Sequence, residues 1–231
     1  MAVGLSKAVA ETAGRALYIN IEDFPSTDLH FSGGNNPMDF TELLYEAVKN
    51  KPDIASVLMT LQITDSSGVR YIRTTEPTNC LYDLLDSHWS TLWTQLRESG
   101  AFDCIVVDTS CALDTRNRAL FRSCDALIIL AECNDLNAVK LSGFQSNMNI
   151  LEKSELNLDE IKNKTFLVTN EIRNRSTPLT EEEKLKCKVF DKSSAIHILF
   201  DKYLALYGTV KTNYKFGESA KKLAQILEIG G

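Results

Sequence analysis

The chain has 231 residues, of which 44% are hydrophobic and 24% are charged, and its formal net charge is -6. These values are typical of globular domains and exclude a disordered or a membrane-embedded chain. The sequence has no apolar run of about 18 residues and no secretory signal, so we expect a cytoplasmic protein. The length favours one large α/β domain over residues 1–231, and the acidic balance disfavours broad binding to nucleic acid.

Apolar runs alternate with segments of helical periodicity along the chain. The first residues predict a helix that ends at Gly14, and a buried strand follows over 16–21. Further buried strands are predicted over 69–72, 104–107, 126–130, 165–168 and 196–200. Helices are predicted over 39–49, 91–98, 135–151 and 218–227, with Asp135 as the N-cap of the third. Strands that alternate with helices predict a mostly parallel sheet with helices on both faces.

Several residues that could mark a binding site are interpreted as structural. The six cysteines form no C-x-x-C pair, so we expect reduced thiols and no zinc site. Trp89 and Trp93, four residues apart on a predicted helix, are assigned to the core in preference to a partner-binding stripe. A solvated charged face is the preferred interpretation, over contact with nucleic acid or lipid, for Lys184, Lys186, Lys188 and Lys192.

The segment FDCIVVDTS, residues 102–110, is the most informative for function. It ends a buried strand with Asp108 and places the hydroxyls of Thr109 and Ser110 directly after it. The carboxyl edge of a parallel sheet is where α/β proteins bind ligands. A carboxylate there can hold Mg²⁺ through water, because Mg²⁺ prefers oxygen ligands and keeps part of its hydration shell. The alternative is that Asp108 caps the next turn or helix.

A second strand, RALYINIEDF at residues 15–24, ends with Asn20 and Glu22. If it lies beside the strand of Asp108, polar groups from both strands would converge on one pocket. Glu22 is the candidate for positioning a water or a metal, whereas Asp23 and Asp28 are interpreted as residues of a solvated loop.

A third strand, TFLVTNEI at residues 165–172, ends at Asn170. The amide of Asn170 offers one acceptor and two donors, which suit the edge of a nucleotide base. Asparagine is also a common turn residue at the end of a strand, so both interpretations stay open.

In this order and spacing, the three strands resemble the MinD/ParA family of deviant Walker-A P-loop ATPases. VGLSKAVAETAGRALYINIEDFPSTDLHF is similar to the family's first helix, second strand and acidic A-prime segment, and FDCIVVDTS is similar to its Walker B strand. CDALIILAECNDLNAVKL and IHILFDKYLALYGTVKTNYKFGESAKKLAQIL are similar to later strands and helices of the family. Within the family, LYINIEDFPSTDLHF most resembles the TadZ/CpaE-type proteins of pilus assembly.

This resemblance implies ATP and Mg²⁺ as cofactors and gives each candidate residue a role. Asp108 would be the Walker B carboxylate that holds Mg²⁺ through water, with Ser110 beside it at the nucleotide. Asn20 and Glu22 would occupy the two catalytic positions of the A-prime segment, and Asn170 would approach adenine. Asn20 stands where the family usually has Asp, and an amide cannot act as a base.

The family's phosphate loop is Gly-rich with two lysines and joins the first strand to the first helix. In this chain Gly4 and Lys7 lie near that point but do not form the motif. We therefore expect the sequence as written to begin one strand and one phosphate loop too late. Little or no ATPase activity is expected from these 231 residues alone.

The resemblance implies a homodimer, linked to nucleotide, that localises or regulates a pilus or secretion assembly. Such a protein would work in the cytoplasm, at the inner membrane through its partners, or at a cell pole. One alternative is a ParA-type partition ATPase that binds DNA non-specifically, which should show salt-dependent affinity through clustered basic residues. The other alternative is a non-catalytic interaction scaffold.

Overall fold

A computed structural model describes residues 1–12, 14–34, 36–74, 84–152, 157–170, 180, 187–192, 194–198 and 215–228. The chain divides into two compact units, Met1–Ser123 with Ala224–Gly231 and Cys124–Leu223. Three positions interpreted from the sequence lie outside the described residues, namely Cys80, Lys184 and Lys186.

The first unit is built of helices and strands, with up to three helices between consecutive strands and one pair of strands that no helix separates. Its elements are α1 (Ala2–Glu11), β1 (Ala16–Asn20), α2 (Thr27–His30), α3 (Phe40–Ala47), α4 (Ile54–Leu61), β2 (Ile63–Thr64), β3 (Arg70–Tyr71), α5 (Asp86–Glu98), β4 (Cys104–Asp108) and α6 (Thr115–Ser123). The strands form one sheet in the order β2-β3-β1-β4. β1 is parallel to β3 and β4, and β2 pairs antiparallel with β3. The prediction of a mostly parallel sheet is therefore confirmed.

Helices cover both faces of this sheet. Leu17, Ile19 and Ile21 point to one face, where they share a buried core with residues of α3, α4 and α5. α1 packs on β1 and β4 and contributes no residue to that core. Because side chains alternate along a strand, Tyr18 and Asn20 belong to the opposite face, which carries the candidate site.

The end of α1 shows why glycine follows it. The backbone N–H of Gly14 turns back to donate to the carbonyl of Val9 at 3.2 Å. A Cβ atom at position 14 would lie 2.9 Å from Cγ1 and 3.1 Å from the carbonyl oxygen of Val9. A side chain at position 14 would therefore have to displace Val9, and the turn leads directly into β1.

The two tryptophans of α5 belong to the core. Trp89 is 1% exposed and Trp93 is 4% exposed, and their rings stack with centroids 5.8 Å apart. The prediction of a core role is confirmed. α5 buries one face, which also carries Leu92 and Leu96, against the helices beside it.

The second unit contains β5 (Leu127–Glu132), α7 (Asp135–Glu152), α8 (Leu158–Lys164), β6 (Thr165–Asn170), β7 (Ser194–Ile198) and most of α9 (Lys215–Ile226), which extends past Leu223, the last residue of the unit. Its strands form a parallel sheet in the order β5-β6-β7. The prediction of a solvated charged face is wrong for Lys192. Its ammonium donates to the carbonyls of Asn163 at 3.1 Å and Thr165 at 3.2 Å, at the carboxyl end of α8.

The predicted N-cap of α7 is wrong by one residue. Asp135 is the first residue of the helix, and the side chain of Asn134 accepts the backbone N–H of Asn137 at 2.8 Å. Asn and Asp are equally good caps, so two adjacent candidates cannot be separated by residue type. The turn in which Asn134 N–H donates to the carbonyl of Glu132 places Asn134 at the cap. In the part of the chain that the structure describes, no helix has the length and apolar composition needed to cross a membrane.

Candidate functional site

The site is built where β1 and β4 end side by side. The two strands pair in register from Ala16 opposite Cys104 to Asn20 opposite Asp108. Directly beyond the strand, the N–H of Ile21 donates to the backbone carbonyl of Asp108 at 2.9 Å. The structure therefore brings together Asn20, Glu22 and Asp108 at one edge of the sheet, as the sequence predicted.

A chain of hydrogen bonds connects these residues through Tyr18. The Tyr18 hydroxyl donates to Oδ2 of Asp108 at 3.0 Å, and it lies 3.3 Å from Nδ2 of Asn20, which donates to it. Nδ2 of Asn20 also donates to Oε2 of Glu22 at 3.3 Å, and Oδ1 of Asn20 accepts the N–H of Glu22 at 2.8 Å. Sequence reasoning missed Tyr18, although its spacing of two from Asn20 places both side chains on one face of β1.

Burial divides this network into an inner and an outer part. Tyr18 and Asn20 are fully buried, whereas Glu22 and Asp108 are half-buried. Burial raises the pKa of Glu22, and the negative charge of Asp108 raises it further. Burial and the same charge raise the pKa of the Tyr18 phenol, so this group remains a protonated donor. Two carboxylates thus lie at the rim, above two neutral hydrogen-bonding side chains.

The loop after β4 is held by Asn117 of α6, which is fully buried. Its Nδ2 donates to the carbonyl of Ser110 at 3.0 Å and to that of Ala112 at 2.7 Å. Asp114 caps α6, because its Oδ1 accepts the N–H of Asn117 at 2.9 Å. Asp108 is therefore not the cap of the next helix. The alternative that Asp108 serves as a helix cap is wrong.

Arg116 joins the loop after β1 to the loop after β4. Its Nη1 donates to the carbonyl of Ile21 at 2.7 Å and to Asp23 at 3.2 Å, and its Nη2 donates to Asp114 at 2.9 Å. Asp23 is thus paired to a buried cation and is not simply a residue of a solvated loop. Asp28, also interpreted in that way, is exposed and pairs with Arg73 at 3.1 Å. A buried arginine in a polar helix segment gives no signal in the sequence, so Arg116 was missed.

Asn170 lies in the second unit, at the carboxyl end of β6. It stands in register with Glu132 of β5 and with Ile198 of β7. It is therefore at the ligand-binding edge of its own parallel sheet. Its role toward a nucleotide base stays a prediction.

The oxygen atoms around Asp108 fit a Mg²⁺ ion. Among the described residues, the second oxygen of Asp108 accepts no hydrogen bond, and the buried hydroxyl of Ser110 has no hydrogen-bond partner. Burial lowers the pKa of the Met1 ammonium, and the charges of Asp108 and Glu22 oppose this shift, so the residue before α1 lies within electrostatic range of both carboxylates. The helix has no side-chain cap. No cluster of three or more His, Cys, Asp or Glu side chains that could hold a metal occurs in the described part of the chain. This donor set suits Mg²⁺, which commonly takes one or two carboxylates and completes its shell with water and phosphate.

Comparison with known proteins identifies the fold. No protein-family model and no curated protein matches the sequence. Among solved structures, the chain is similar to a ParA family ATPase from Chlorobium tepidum TLS, with a TM-score of 0.72, 16% identity and coverage of 97% of this chain and 90% of that one. It is also similar to the MinC:MinD cell division protein complex of Aquifex aeolicus, with a TM-score of 0.68, 13% identity and coverage of 98% and 88%.

The name of a third similar structure states a bound ligand. It is cobyrinic acid a,c-diamide synthase from Mycobacterium smegmatis with bound ATP analog and magnesium, with a TM-score of 0.67, 13% identity and coverage of 97% and 86%. At these identities the similarity shows the fold. The chain has the α/β fold of the MinD and ParA P-loop ATPases, with a parallel sheet and packed helices. The same fold also carries a synthase, so the activity of this chain has to be argued from its own residues.

Proposed function

We propose that this protein binds ATP with Mg²⁺ at the edge formed by β1 and β4 and uses the nucleotide to control its own dimerisation. The observation that carries the proposal is the register of Asn20 opposite Asp108, with Glu22 beside them, in a fold shared with MinD and ParA ATPases. The similarity to a structure with bound ATP analog and magnesium supports the choice of cofactors.

In this proposal Asp108 holds Mg²⁺ through water, and the hydroxyl of Ser110 contributes a further polar group beside it. Mg²⁺ would neutralise charge on the phosphates when the nucleotide is bound. Glu22 lies beside these groups as the second carboxylate. The contact of Asn170 with adenine comes from the family resemblance alone and is part of the proposal.

Asn20 favours binding over turnover. Its amide cannot accept a proton from an attacking water, and both of its polar atoms are already engaged by Tyr18 and Glu22. We expect slow or absent hydrolysis and a nucleotide that acts by stabilising one association state. Such a population shift would let the protein localise or regulate a pilus or secretion assembly, in the manner of the TadZ/CpaE-type proteins that its sequence resembles.

Equilibrium binding of a non-hydrolysable ATP analogue, with Mg²⁺ and with EDTA, tests the nucleotide site. The wild type should bind more tightly with Mg²⁺, and Asp108→Asn should lose about tenfold or more of that gain, as removal of a metal-supporting carboxylate typically does. Asp159→Asn is the matched control, because this aspartate is 86% exposed on α8. Absence of Mg²⁺-dependent binding by the wild type would exclude the proposal and favour the non-catalytic scaffold.

Sedimentation of the same samples tests the second half of the proposal. The dimer fraction should rise with Mg²⁺ and the analogue in the wild type and remain at the unliganded level in Asp108→Asn. Capture of pilus or secretion components from the native cell, compared between the wild type and Asp108→Asn, tests the assembly role. Tight DNA binding that weakens steeply with salt, with no such partner captured, would favour a partition ATPase instead.

A further inference from the structure

Tyr18 makes a hydrogen bond in the site that burial in a core strand does not by itself require. It is fully buried, and its ring packs against Phe31 with ring centroids 5.0 Å apart. The ring is therefore held by apolar contacts, independently of the hydroxyl. The hydroxyl reaches the end of β4 and donates to Oδ2 of Asp108. Among the described residues, this is the single hydrogen bond that the Asp108 carboxylate accepts, and its other oxygen accepts none.

The hydrogen-bond capacity of a phenol explains the residue at position 20. A phenol has one proton, so once it donates to Asp108 its oxygen can only accept. The neighbouring side chain must then be a donor, and Nδ2 of Asn20 fills that role. The orientation of the amide is set by its other end, because Oδ1 accepts the backbone N–H of Glu22. A carboxylate at position 20 would have no proton for Tyr18 and would add a third negative charge beside Glu22 and Asp108.

We propose that Tyr18 and Asn20 are a matched positioning pair, in which Tyr18 holds one oxygen of Asp108 and Asn20 is an amide because it must donate to Tyr18. This inference rests on the proposed function for its ligand, since the free oxygen of Asp108 would face a water of the Mg²⁺ that accompanies the nucleotide. Asn20 is thus not a degraded catalytic acid. It is the hydrogen-bond donor that the Tyr18 hydroxyl requires.

The first test needs no ligand. Equilibrium unfolding is measured for the wild type, Tyr18→Phe, Asn20→Asp and the double variant. Asn20→Asp should raise the unfolding equilibrium constant about tenfold or more when Tyr18 is present. The increase should be at least about threefold smaller when Tyr18→Phe has removed the hydroxyl, because only the added charge and the lost bond to Glu22 then remain as costs. Failure of Asn20→Asp to fold, with recovery in the double variant, would equally support the pair. Additive effects of the two substitutions would overturn it.

The second test measures the effect on the cation. Tyr18→Phe should weaken Mg²⁺-dependent binding of the non-hydrolysable ATP analogue about tenfold, as loss of a supporting hydrogen bond does at other metal sites, and leave binding in EDTA unchanged. The matched control is Tyr71→Phe. Tyr71 stands in register with Tyr18 on β3 and is buried, but its hydroxyl contacts the backbone of Gly33.

The outcomes separate this inference from the proposed function. A folded Tyr18→Phe variant with wild-type Mg²⁺ dependence would overturn the positioning role while leaving nucleotide binding intact. A wild type without Mg²⁺-dependent binding would overturn the proposed function and the cation role of Tyr18 together. In that case the unfolding measurements alone decide whether Tyr18 and Asn20 are a pair.

Discussion

Arg15 and Asp103 hold together the amino ends of β1 and β4. Nη2 of Arg15 donates to Oδ1 of Asp103 at 2.6 Å, and the backbone N–H of Arg15 donates to Oδ2 at 2.7 Å. The N–H of Asp103 donates in return to the carbonyl of Arg15 at 2.9 Å. These bonds join β1 and β4 where their pairing begins. The same pairing ends with Asn20 opposite Asp108.

This pair gives the stability of the protein a dependence on acid pH. Its hydrogen bonds with Arg15 lower the pKa of Asp103 from 3.8 to about 2. A carboxylate whose folded pKa is depressed contributes stability above the unfolded pKa, and that contribution is lost as the pH falls through the folded pKa. Asp103→Asn should therefore lower the melting temperature at neutral pH, and the difference from wild type should narrow from about pH 4 toward pH 2. Asp159→Asn is the control, and a gap of constant size across this range would contradict the prediction.

Arg116 should be important for stability because it is a buried cation with three oxygen partners. Arg116→Met should cost about 2–4 kcal/mol, since the carbonyl of Ile21 and two carboxylates lose their donor. Arg116→Lys should recover only part of this loss, because an ammonium cannot reproduce the fork of a guanidinium. Urea unfolding measures both changes. Lys140→Met, at an exposed position of α7, should stay within about 0.5 kcal/mol of wild type, and an equal cost at both sites would refute the role of Arg116.

The corrected N-cap of α7 can be tested by two neighbouring substitutions. Asn134→Ala should cost about 1 kcal/mol, because the N–H of Asn137 loses its acceptor. Asp135→Ala should cost less than Asn134→Ala, because Asp135 is already a residue of the helix and alanine is a better helix former. Chemical unfolding of both variants gives the comparison. The reverse order would restore Asp135 as the cap.

Thiol reactivity should follow burial. Burial raises the pKa of Cys104 from 9.0 to about 11, whereas Cys111 is exposed in the loop after β4. At pH 8 Cys104 should hold about a hundredfold less thiolate than a thiol of ordinary pKa, and Cys111 should be alkylated first by iodoacetamide. Peptide mapping over time measures the two rates. The two alkylation rates should become equal in urea. Equal rates in the native protein would contradict the burial of Cys104.

Local patterns were sufficient for most of the secondary structure. Alternation and apolar runs located β1, β4 and β6 to within two residues at each end, because a buried strand needs a short stretch of apolar side chains whatever surrounds it. The glycine at position 14 and the spacing of Trp89 and Trp93 were equally readable. Polar residues at or just beyond the ends of strands identified Asn20, Glu22 and Asp108, because parallel strands end at a common edge.

Long-range contacts decided the rest. Helix α6 was missed because it is polar, and its most buried charged residue, Arg116, is held by oxygens that lie up to 95 residues away. The spacing of Tyr18 from Asn20 places both on one face of β1, but the contact of the Tyr18 hydroxyl with Asp108 spans 90 residues of chain and has no local pattern.

The sequence by itself determined that this is an α/β chain with carboxylates at the edge of a parallel sheet, because periodicity and strand-end polarity are local properties. Only the tertiary structure showed which hydrogen bonds Asn20 makes there. Read alone, an amide in place of an acid indicates a lost catalytic group. Placed between Tyr18 and Glu22, the same amide supplies the hydrogen bonds that both neighbours need, since each polar atom at a buried edge must be matched by a partner of opposite kind.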